Sequence, residues 1–378
     1  MEMKERLIGK DIGELKEVAS CAGLPGYAAS QIAQWLYGKR VKSVEDMTNI
    51  SKAGRAVLAD RYEVGIAGYS TVQKSSDGTK KYLFPVGSVH GEDMLPGFHA
   101  SGHPAGSATQ GNVADKDTGT LERSAVEAVM IPDRDRATLC VSSQSGCRMG
   151  CRFCMTGRQG FHGNLSSADI ISQFLAVDEG PLLTNAVFMG MGEPLDNYDS
   201  VMKAIAVLTS DWGFGWSPKR ITVSTIGVLP NLKRFLDESR CHLAVSLHSP
   251  FHEERLSIMP VEKAWPIEDT VSLIRQYDFT GQRRVSFEYT MFAGFNDDKR
   301  HADAIARLLK GIECRVNLIR FHKIPDFPYE TSSDAVMEAF RGRLEHAGIV
   351  STVRASRGED IMAACGMLAG KHNKRIAE

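Results

Sequence analysis

Three cysteines stand within eight residues of one another, in the stretch CRMGCRFC that runs from Cys147 through Cys151 to Cys154. Thiolates bind zinc and iron–sulfur clusters, and a structural zinc ion normally takes four ligands. Three thiolates can instead hold an iron–sulfur cluster that leaves one iron open to a further ligand. A zinc site completed by Cys140 or His162, or three unrelated core cysteines, are the alternatives. We favour the open cluster.

The composition is that of an ordinary globular protein, with 378 residues, of which 43% are hydrophobic and 24% charged. This length favours two or three structural units. The formal net charge of -1 gives no overall attraction to phosphate or to a membrane. A nucleic-acid site would therefore be a local basic surface. The candidates are Lys39, Arg40 and Lys42, then Arg354 and Arg357, and finally Lys371, Lys374 and Arg375.

The first residues, MEMKERLIGKDIGELKE, are charged and contain no apolar signal core, and no later run has the length of a membrane span. We therefore expect a cytoplasmic protein without a membrane partner. We also expect a monomer. Eight cysteines in a chain of this length are too sparse for a disulfide scaffold. In a reducing compartment, clustered thiols indicate metal or redox chemistry.

The chain divides into three parts by its local patterns. Residues 1–70 form short amphipathic helices, and residues 71–124 contain a β-hairpin with an Asp77-Gly78 turn. Within that second part, residues 87–121 lose all periodicity and fill with Gly, Ser, Ala and Asp, which predicts a flexible insertion. Residues 125–378 form the third and largest part.

Six strand–helix units follow one another in this third part. Their strands lie in TLCVSS, NAVFMGMG, KRITVSTIG, HLAVSLHSP, RRVSFEYTMFAG and CRVNLIRFH. Such alternation predicts an α/β fold with a parallel sheet covered by helices, and the largely apolar strands are typical of one. Six units are fewer than the eight of a closed barrel, so we predict a partial, open β/α barrel. Its functional residues should lie at the carboxyl ends of the strands.

The cysteine spacing after the first strand, together with MGMGEP at the end of the second, resembles the radical S-adenosylmethionine (SAM) enzymes. More narrowly, ATLCVSSQSGCRMGCRFCMTGRQGF, GMGEPLDN, AVSLHSP and RGEDIMAACGMLAG look like the RlmN/Cfr family of radical-SAM ribosomal RNA adenine methyltransferases, and the RlmN branch is the closer fit. The resemblance implies one 4Fe-4S cluster on Cys147, Cys151 and Cys154, with SAM on the open iron.

The same resemblance implies a mechanism that uses two SAM molecules per turnover. Cys365 would take a methyl group from the first SAM, and a 5′-deoxyadenosyl radical from the second would activate that methyl group for addition to C2 of an adenine. Cys140 would resolve the protein–RNA adduct and end in a transient disulfide with Cys365, and Glu127 would be the proton acceptor. The implied substrates are 23S rRNA and tRNA, and the implied electron donor is a flavodoxin or a ferredoxin.

Further residues are implied as SAM contacts at the ends of successive strands. They are Gly192, Glu193, Ser224, Ser246, Leu247, His248 and, where many family members have Asn, His322. The helical residues 1–70 resemble the accessory domain of the family, which implies an RNA-binding role.

Without the resemblance, the same residues have plainer interpretations. Cys365 and Cys140 would be buried core thiols, and Glu127 would be the solvent-facing partner in an alternating strand. Two functional alternatives also stay open. One is methylation at adenine C8, as in the Cfr branch. The other is a radical-SAM activase or a cluster-bearing RNA-binding module, which predicts no role for Cys365.

Overall fold

A computed structural model describes residues 4–86, 125–281 and 283–370 of the chain. The predicted insertion at 87–121 and the basic residues Lys371, Lys374 and Arg375 lie outside the described residues. Within the described ranges, no helix is long and apolar enough to cross a membrane.

Fourteen strands are present in the described part of the chain. In chain order, β1 to β14 are Glu5–Arg6, Tyr62–Glu63, Thr71–Lys74, Lys80–Pro85, Ala125–Asp133, Arg136–Cys140, Gln144–Gly146, Phe161–Asn164, Asn185–Phe188, Ile221–Thr225, His242–Ser246, Val285–Met291, Cys314–Arg320 and Val350–Val353.

Eleven α-helices accompany these strands in the same described ranges. In chain order, α1 to α11 are Ile12–Cys21, Ala28–Ala33, Lys52–Arg61, Met155–Arg158, Ser167–Ala176, Tyr198–Thr209, Leu229–Glu238, His252–Ile258, Ile267–Ile274, Lys299–Leu308 and Asp334–His346. Helix α2 continues into a π-helical turn over Gln34–Gly38.

Ten of the strands form one sheet, in the order β14-β13-β12-β11-β10-β9-β6-β5-β4-β3. Neighbours from β6 to β14 pair in parallel. The six predicted strands are β6 and β9 to β13, as expected. Strand β14 is a seventh parallel strand that the sequence analysis missed. Two of its four residues are exposed and a third is the buried Ser351, so the strand lacks the apolar run that marks the buried strands.

The sheet curves into a partial barrel. Val129 of β5 and Ile319 of β13 line the same cavity. Six strand spacings separate these strands, which would be about 29 Å in a flat sheet. The predicted fold class, a partial β/α barrel with a small helical unit and a β-hairpin extension, is confirmed.

The hairpin extension is antiparallel and widens the sheet beyond β6. Strands β3 and β4 meet at the predicted turn, where Gly78 has a φ of +84° and Asp77 Oδ1 accepts the N–H of Thr79 at 2.9 Å. Strand β5 then pairs with β4 on one side and with β6 on the other. The hairpin is thereby joined to the strand that precedes the cysteine loop.

The N-terminal helices pack on the barrel through both ion pairs and rings. Arg6 Nη1 lies 2.6 Å from Asp169 Oδ1 at the start of α5, and Lys203 of α6 pairs with Glu14 of α1. The Tyr37 ring contacts the ring of Trp212 at a centroid distance of 5.9 Å. Helix α1 begins at a capping box in which Asp11 and Glu14 bond each other's backbone N–H groups.

Candidate functional site

One cavity at the carboxyl end of the parallel strands brings together five cysteines. Cys140, at the end of β6, lines it together with Cys147, Cys151 and Cys154 from the following loop and with Cys365 from the end of the described chain. More than two hundred residues separate Cys140 from Cys365 in sequence. The fold therefore assembles the two thiols that the resemblance singles out beside the three predicted cluster ligands.

The cysteine loop closes on itself through a very close backbone contact. Gly146 has a φ of +72°, and a Cβ atom there would lie 2.0 Å from the carbonyl oxygen of Gly160. Cys147 donates its backbone N–H to that same carbonyl at 2.8 Å. Only glycine fits this position, because the backbone is left-handed and no space remains for a side chain. The loop can thus bend tightly around a bound group.

The three loop thiols suit an iron–sulfur cluster. Burial raises the pKa of Cys147 well above its ordinary value and that of Cys151 to about 12, and charge on a neighbouring cysteine raises each of them further. Their thiolates therefore need a cationic partner. The backbone N–H of Met149 bonds the sulfur of Cys147, and those of Thr156 and Gly157 bond the sulfur of Cys154, as is common for cluster ligands.

The zinc alternative finds less support. In the described ranges, no three His, Cys, Asp or Glu side chains stand close enough together to hold a single metal ion. The cysteines of a cubane cluster bind different irons, so they can lie farther apart than the ligands of one zinc ion. Neither Cys140 nor His162 completes a compact four-ligand set with the loop cysteines.

The MGMGEP motif packs directly against the residues that follow β6. Gly192 has a φ of +97°, and a Cβ atom there would lie 2.4 Å from Cβ of Gln144. The next residue, Glu193, bridges two strand ends, since its carboxylate accepts the N–H of Leu195 at 3.1 Å and that of Ile226 at 3.0 Å. Burial raises the pKa of Glu193 to about 7, despite these bonds and one from Thr225.

A buried polar network that sequence analysis missed fixes these loops. Gln144 accepts the N–H of Glu193 at 2.8 Å and donates to Asp196 at 2.7 Å. Asn197 donates to the carbonyl oxygens of Ser143 and Leu165, each at 2.8 Å. The only sequence signal was a cluster of amide and carboxylate residues beside the motifs, which is also common in ordinary loops.

The next two strands end beside the same cavity. Ser224 of β10, Ser246 at the end of β11, and His248 line it, whereas the Leu247 side chain is fully buried outside it. His248 has a φ of +53°, and its Nδ1 accepts the N–H of Thr290 at 2.9 Å. Burial lowers the pKa of His248 to about 3, so the ring is neutral.

A fully buried arginine holds these strand ends in place. Arg255 of α8 donates to the carbonyl oxygens of Ile226 at 3.1 Å, Ser246 at 2.9 Å and Leu247 at 3.0 Å, and it pairs with Glu262. The sequence did not point to Arg255, because an arginine in a polar helix looks like a solvated residue. Its importance appears only once the helix is seen packed under the strand ends.

A second charged pair lies in the cavity of Cys140 and Cys365, and the sequence had indicated only one of its members, Arg354, as part of a basic surface. Arg354 donates to Glu288 at 3.3 Å, and both residues line the cavity. Burial and charge on Cys365 raise the pKa of Cys140 to about 12, while Arg354 lowers it. Cys365 is exposed and lines the cavity, and the atoms packed around its thiol raise its pKa by desolvation, whereas Arg354 lowers it.

Two predicted site residues have other partners in this conformation. His322 lines the cavity, but its Nδ1 lies 2.8 Å from Glu359 and its Nε2 lies 3.2 Å from Ser356. Glu127 of β5 is buried, against the solvent-facing interpretation, yet it lies outside the residues that line the cavity. Its carboxylate pairs with Lys81 at 3.1 Å.

The predicted basic surfaces differ in their surroundings. Lys39 lies over the ring of Trp35, 3.6 Å from its centroid, and Arg40 lies over the ring of Phe214 at 5.2 Å. Lys42 is exposed, whereas Arg354 is held in the cavity by Glu288. In the first predicted basic surface, Lys39 and Lys42 therefore remain as candidates for RNA contact. Arg354 belongs to the cavity instead.

The comparisons with known proteins agree with this geometry. Residues 141–305 match the model of the Radical SAM superfamily, and residues 6–64 match that of the Ribosomal RNA large subunit methyltransferase N-terminal domain. A radical SAM methyltransferase from Sphaerobacter thermophilus has a crystal structure that superposes with a TM-score of 0.82 at 34% identity, covering 97% of this chain and all of that one. The fold and the cysteine loop thus define a radical SAM protein.

Full-length relatives make the assignment narrower. A protein of Porphyromonas gingivalis, named a probable dual-specificity RNA methyltransferase RlmN, is 55% identical over 97% of this chain and 95% of its own. The dual-specificity RNA methyltransferase RlmN of Syntrophus aciditrophicus is 38% identical over 95% of this chain and 94% of its own. The chain belongs to the RlmN family of radical SAM RNA methyltransferases.

Proposed function

We propose that this protein methylates C2 of an adenine in 23S rRNA and in tRNA, with SAM as the methyl donor and as the radical source. The observation that carries the proposal is that Cys140 and Cys365 line the same cavity as Cys147, Cys151 and Cys154. A radical-SAM activase or a cluster-bearing RNA-binding module would need neither of the two additional thiols. The substrates in the names of the relatives support an RNA target.

The loop cysteines would hold one 4Fe-4S cluster, which with bound SAM supplies a 5′-deoxyadenosyl radical on reduction by a flavodoxin or ferredoxin. SAM would lie along the carboxyl edge of the sheet. Gly192 and Glu193 would contact its amino group, and Ser224, Ser246 and His248 its ribose and carboxylate. Leu247 would contribute its backbone only, since its side chain is buried.

Cys365 would carry the methyl group. Adenine C2 is an electrophilic amidine carbon, so it cannot attack the methyl group of a sulfonium, and a direct displacement fails. The Cys365 thiolate can make that displacement, and two SAM molecules per turnover follow from this step. Arg354, which lowers the pKa of Cys365, would favour its thiolate. Loss of one hydrogen from the S-methyl group would then allow a carbon–carbon bond to adenine C2.

Cys140 would release the product. The adduct joins Cys365 to the base through the methylene carbon and would give up one electron, returned to the cluster, and the C2 proton. A thiolate from Cys140 would then attack the sulfur of Cys365, and the methylene carbon would leave with the bonding electrons and take up a proton to become the methyl group. A transient disulfide would remain. No disulfide joins Cys140 and Cys365 in this structure. Glu127 would have to leave its present partners to accept the C2 proton.

We also propose roles for the three parts of the chain and for His322, and a cellular compartment. Residues 1–70 would form an accessory domain that binds RNA, followed by a hairpin unit over 71–124 and the catalytic barrel over 125–378. The match of residues 6–64 to an rRNA methyltransferase N-terminal domain supports the first boundary. His322 would contact SAM or the adenine after releasing Ser356 or Glu359. The protein would work in the cytoplasm as a monomer.

The decisive experiment supplies methyl-deuterated SAM to the anaerobically reconstituted enzyme with ribosomal RNA fragments and tRNA. We expect 2-methyladenosine that retains two of the three deuterons, because one is removed from the S-methyl group before the carbon–carbon bond forms. Nucleoside standards separate this product from 8-methyladenosine. Finding only the C8 product would exclude the C2 assignment, and retention of all three deuterons would exclude the methylene route.

Two variants separate the roles of the two cysteines. Cys365→Ala should abolish RNA methylation while leaving reductive SAM cleavage intact. Cys140→Ala should accumulate protein covalently joined to RNA, which denaturing gels would show. Cys21→Ala, which removes an exposed thiol, is the matched control and should behave as the wild type. A Cys365→Ala protein that methylates RNA at the wild-type rate would exclude the two-cysteine mechanism.

A further inference from the structure

Cys365 lies on a stretch of chain with little regular structure of its own. From Gly358 to Gly370, which we call the cysteine-bearing segment, the only regular element in the described residues is a short 3₁₀ turn at Glu359–Ile361. A methyl group on this thiol must reach both a sulfonium and a base, so its position matters. The contacts that hold the segment come from other parts of the fold.

The β-hairpin holds the first end of this segment. Gly358 donates its backbone N–H to Asp77 Oδ2 at 3.1 Å, and Ser76 donates its own to Asp360 Oδ2 at 3.1 Å. Both bonds involve the turn between β3 and β4. The hairpin that sequence analysis treated as an extension is thus a support for the residues that lead to Cys365.

Glu127 holds the other end. Its Oε2 accepts the backbone N–H of Ala369 at 2.7 Å and that of Gly370 at 3.1 Å. Gln159 adds a bond to the carbonyl oxygen of Ala369 at 2.6 Å. Cys365 therefore lies between two anchored ends, one on the hairpin and one on β5.

Lys81 completes the attachment. It faces the same side of the sheet as Glu127, because its partner across the β4–β5 ladder is Val129, two residues along from Glu127. Lys81 Nζ lies 3.1 Å from Glu127 Oε1 and donates to the carbonyl oxygen of Met362 at 3.4 Å. The pair is buried, with side-chain exposures of 8% for Lys81 and 3% for Glu127. A buried carboxylate persists only when it is paired and hydrogen-bonded in this way.

We propose that Glu127, together with Lys81, is a positioning residue that fixes the cysteine-bearing segment so that Cys365 faces the cluster loop before RNA binds. Both carboxylate oxygens are already engaged, and none of their partners is a residue that lines the cavity of Cys140 and Cys365. This role rests on the proposed function, because it gives the position of Cys365 its purpose. The positioning role acts before RNA binds, whereas a proton acceptor would act only after the base has been joined to the protein.

The test compares Glu127→Gln with the wild type in the reconstituted holoenzyme without RNA. Loading of a methyl group from SAM onto Cys365 is followed by peptide mass spectrometry, and reductive SAM cleavage and iron content are measured in parallel. We expect loading to fall about tenfold or more, since hydrogen bonds to a charged group are among the stronger ones, while iron content and SAM cleavage stay at wild-type values. With RNA, 5′-deoxyadenosine should form in excess over methylated adenine.

A second measurement does not depend on activity. Hydrogen–deuterium exchange at the Ala369 and Gly370 amides should become faster in Glu127→Gln. Gln159→Leu removes a bond to the same end of the segment without changing the carboxylate. It should therefore slow Cys365 loading too, but by less than Glu127→Gln does. Glu63→Gln, at an exposed position of β2, is the control and should match the wild type in every measurement.

The outcomes separate the possibilities. If Glu127→Gln loads Cys365 at the wild-type rate and accumulates the protein–RNA adduct, Glu127 is a proton acceptor and the positioning role is wrong. Should Glu127→Gln fail to hold a cluster, unchanged Cys365 loading in Gln159→Leu would overturn the proposal. If the wild type itself loads no methyl group onto Cys365, the proposed function fails, whereas the exchange result at Ala369 and Gly370 still reports on the attachment.

Discussion

Two parts of the site are built in opposite ways. The loops that would hold the cluster and SAM lie at the ends of neighbouring buried strands, and side chains such as Gln144, Glu193 and Arg255 bond them to one another. The cysteine-bearing segment has almost no regular structure and is held by hydrogen bonds to β4, β5, the hairpin turn and the α4 residues Met155 and Thr156. We call the first part the platform, because its loops are bonded to one another, whereas the second part is irregular chain held in place by other elements. A thiol that must meet several partners in turn belongs on the second.

The largest effect should follow from removing a ligand of the platform. Cys151→Ala should abolish iron–sulfur cluster binding and all RNA methylation, because two thiolates cannot replace three. Iron content, the cluster absorbance and methylation of RNA are the measurements. Cys314→Ala, which removes a half-buried thiol outside the cavity, should retain all three. Equal losses in both variants would contradict the assignment of Cys151.

The stability of the platform should depend strongly on Arg255. Arg255→Met removes the arginine partner of the buried Glu262 carboxylate, which keeps its bonds to His252 and the Ile267 N–H, so the free energy of unfolding should fall by about 3–5 kcal/mol. Urea unfolding of the cluster-free protein measures this. Arg300→Met breaks an exposed pair with Glu254 and should cost less than about 1 kcal/mol. Similar values for the two variants would show that Arg255 does not hold the strand ends together.

A smaller loss of stability should follow from adding a methyl group to the MGMGEP loop. Gly192→Ala combines a positive φ with a contact to Gln144, so we expect a loss of about 1–3 kcal/mol in unfolding free energy and weaker SAM binding. Gly311→Ala is the matched control, because its φ is +84° but nothing lies within 4 Å of the added methyl group. A Gly192→Ala protein no less stable than Gly311→Ala would mean that the loop yields to the methyl group.

The smallest effect concerns the hairpin end of the cysteine-bearing segment. Burial raises the pKa of Asp77, but bonds from Thr79, Gly358 and Ser75 outweigh it and lower the pKa to about 2. A lowered folded-state pKa means that this stabilisation is complete above the ordinary value and is lost as pH falls toward about 2. The effect should stay below about 1 kcal/mol, because Asp77 is exposed and screened by solvent.

This pH dependence can be measured by urea unfolding of the cluster-free wild type and of Asp77→Asn. The stability difference between the two proteins should be larger near about pH 6 than near about pH 3. Asp211→Asn, an exposed aspartate distant in sequence from both ends of the segment, serves as the control and should show no such trend. A difference that grows as pH falls would contradict the bonding of Asp77.

Much of the fold could be predicted because its signals are local. The six predicted strands and the Asp77-Gly78 turn follow from apolar runs and turn residues that lie next to one another in sequence. Strand β14 was missed because an edge strand in which two of four residues are exposed has no such run. Arg255 was missed because nothing in its neighbours reveals that α8 packs beneath the strand ends.

The three-cysteine loop, the parallel strands and the family resemblance could be recognised from the sequence alone, since each depends on residues that lie close together along the chain. The three-dimensional fold was needed to show that Cys365 and Cys140 line one cavity, that Arg354 and Glu288 pair in that cavity, and that Glu127 bonds the segment carrying Cys365. These contacts join residues more than two hundred positions apart or depend on the direction of one side chain. The curvature of the whole sheet brings them together, and no local pattern encodes that curvature.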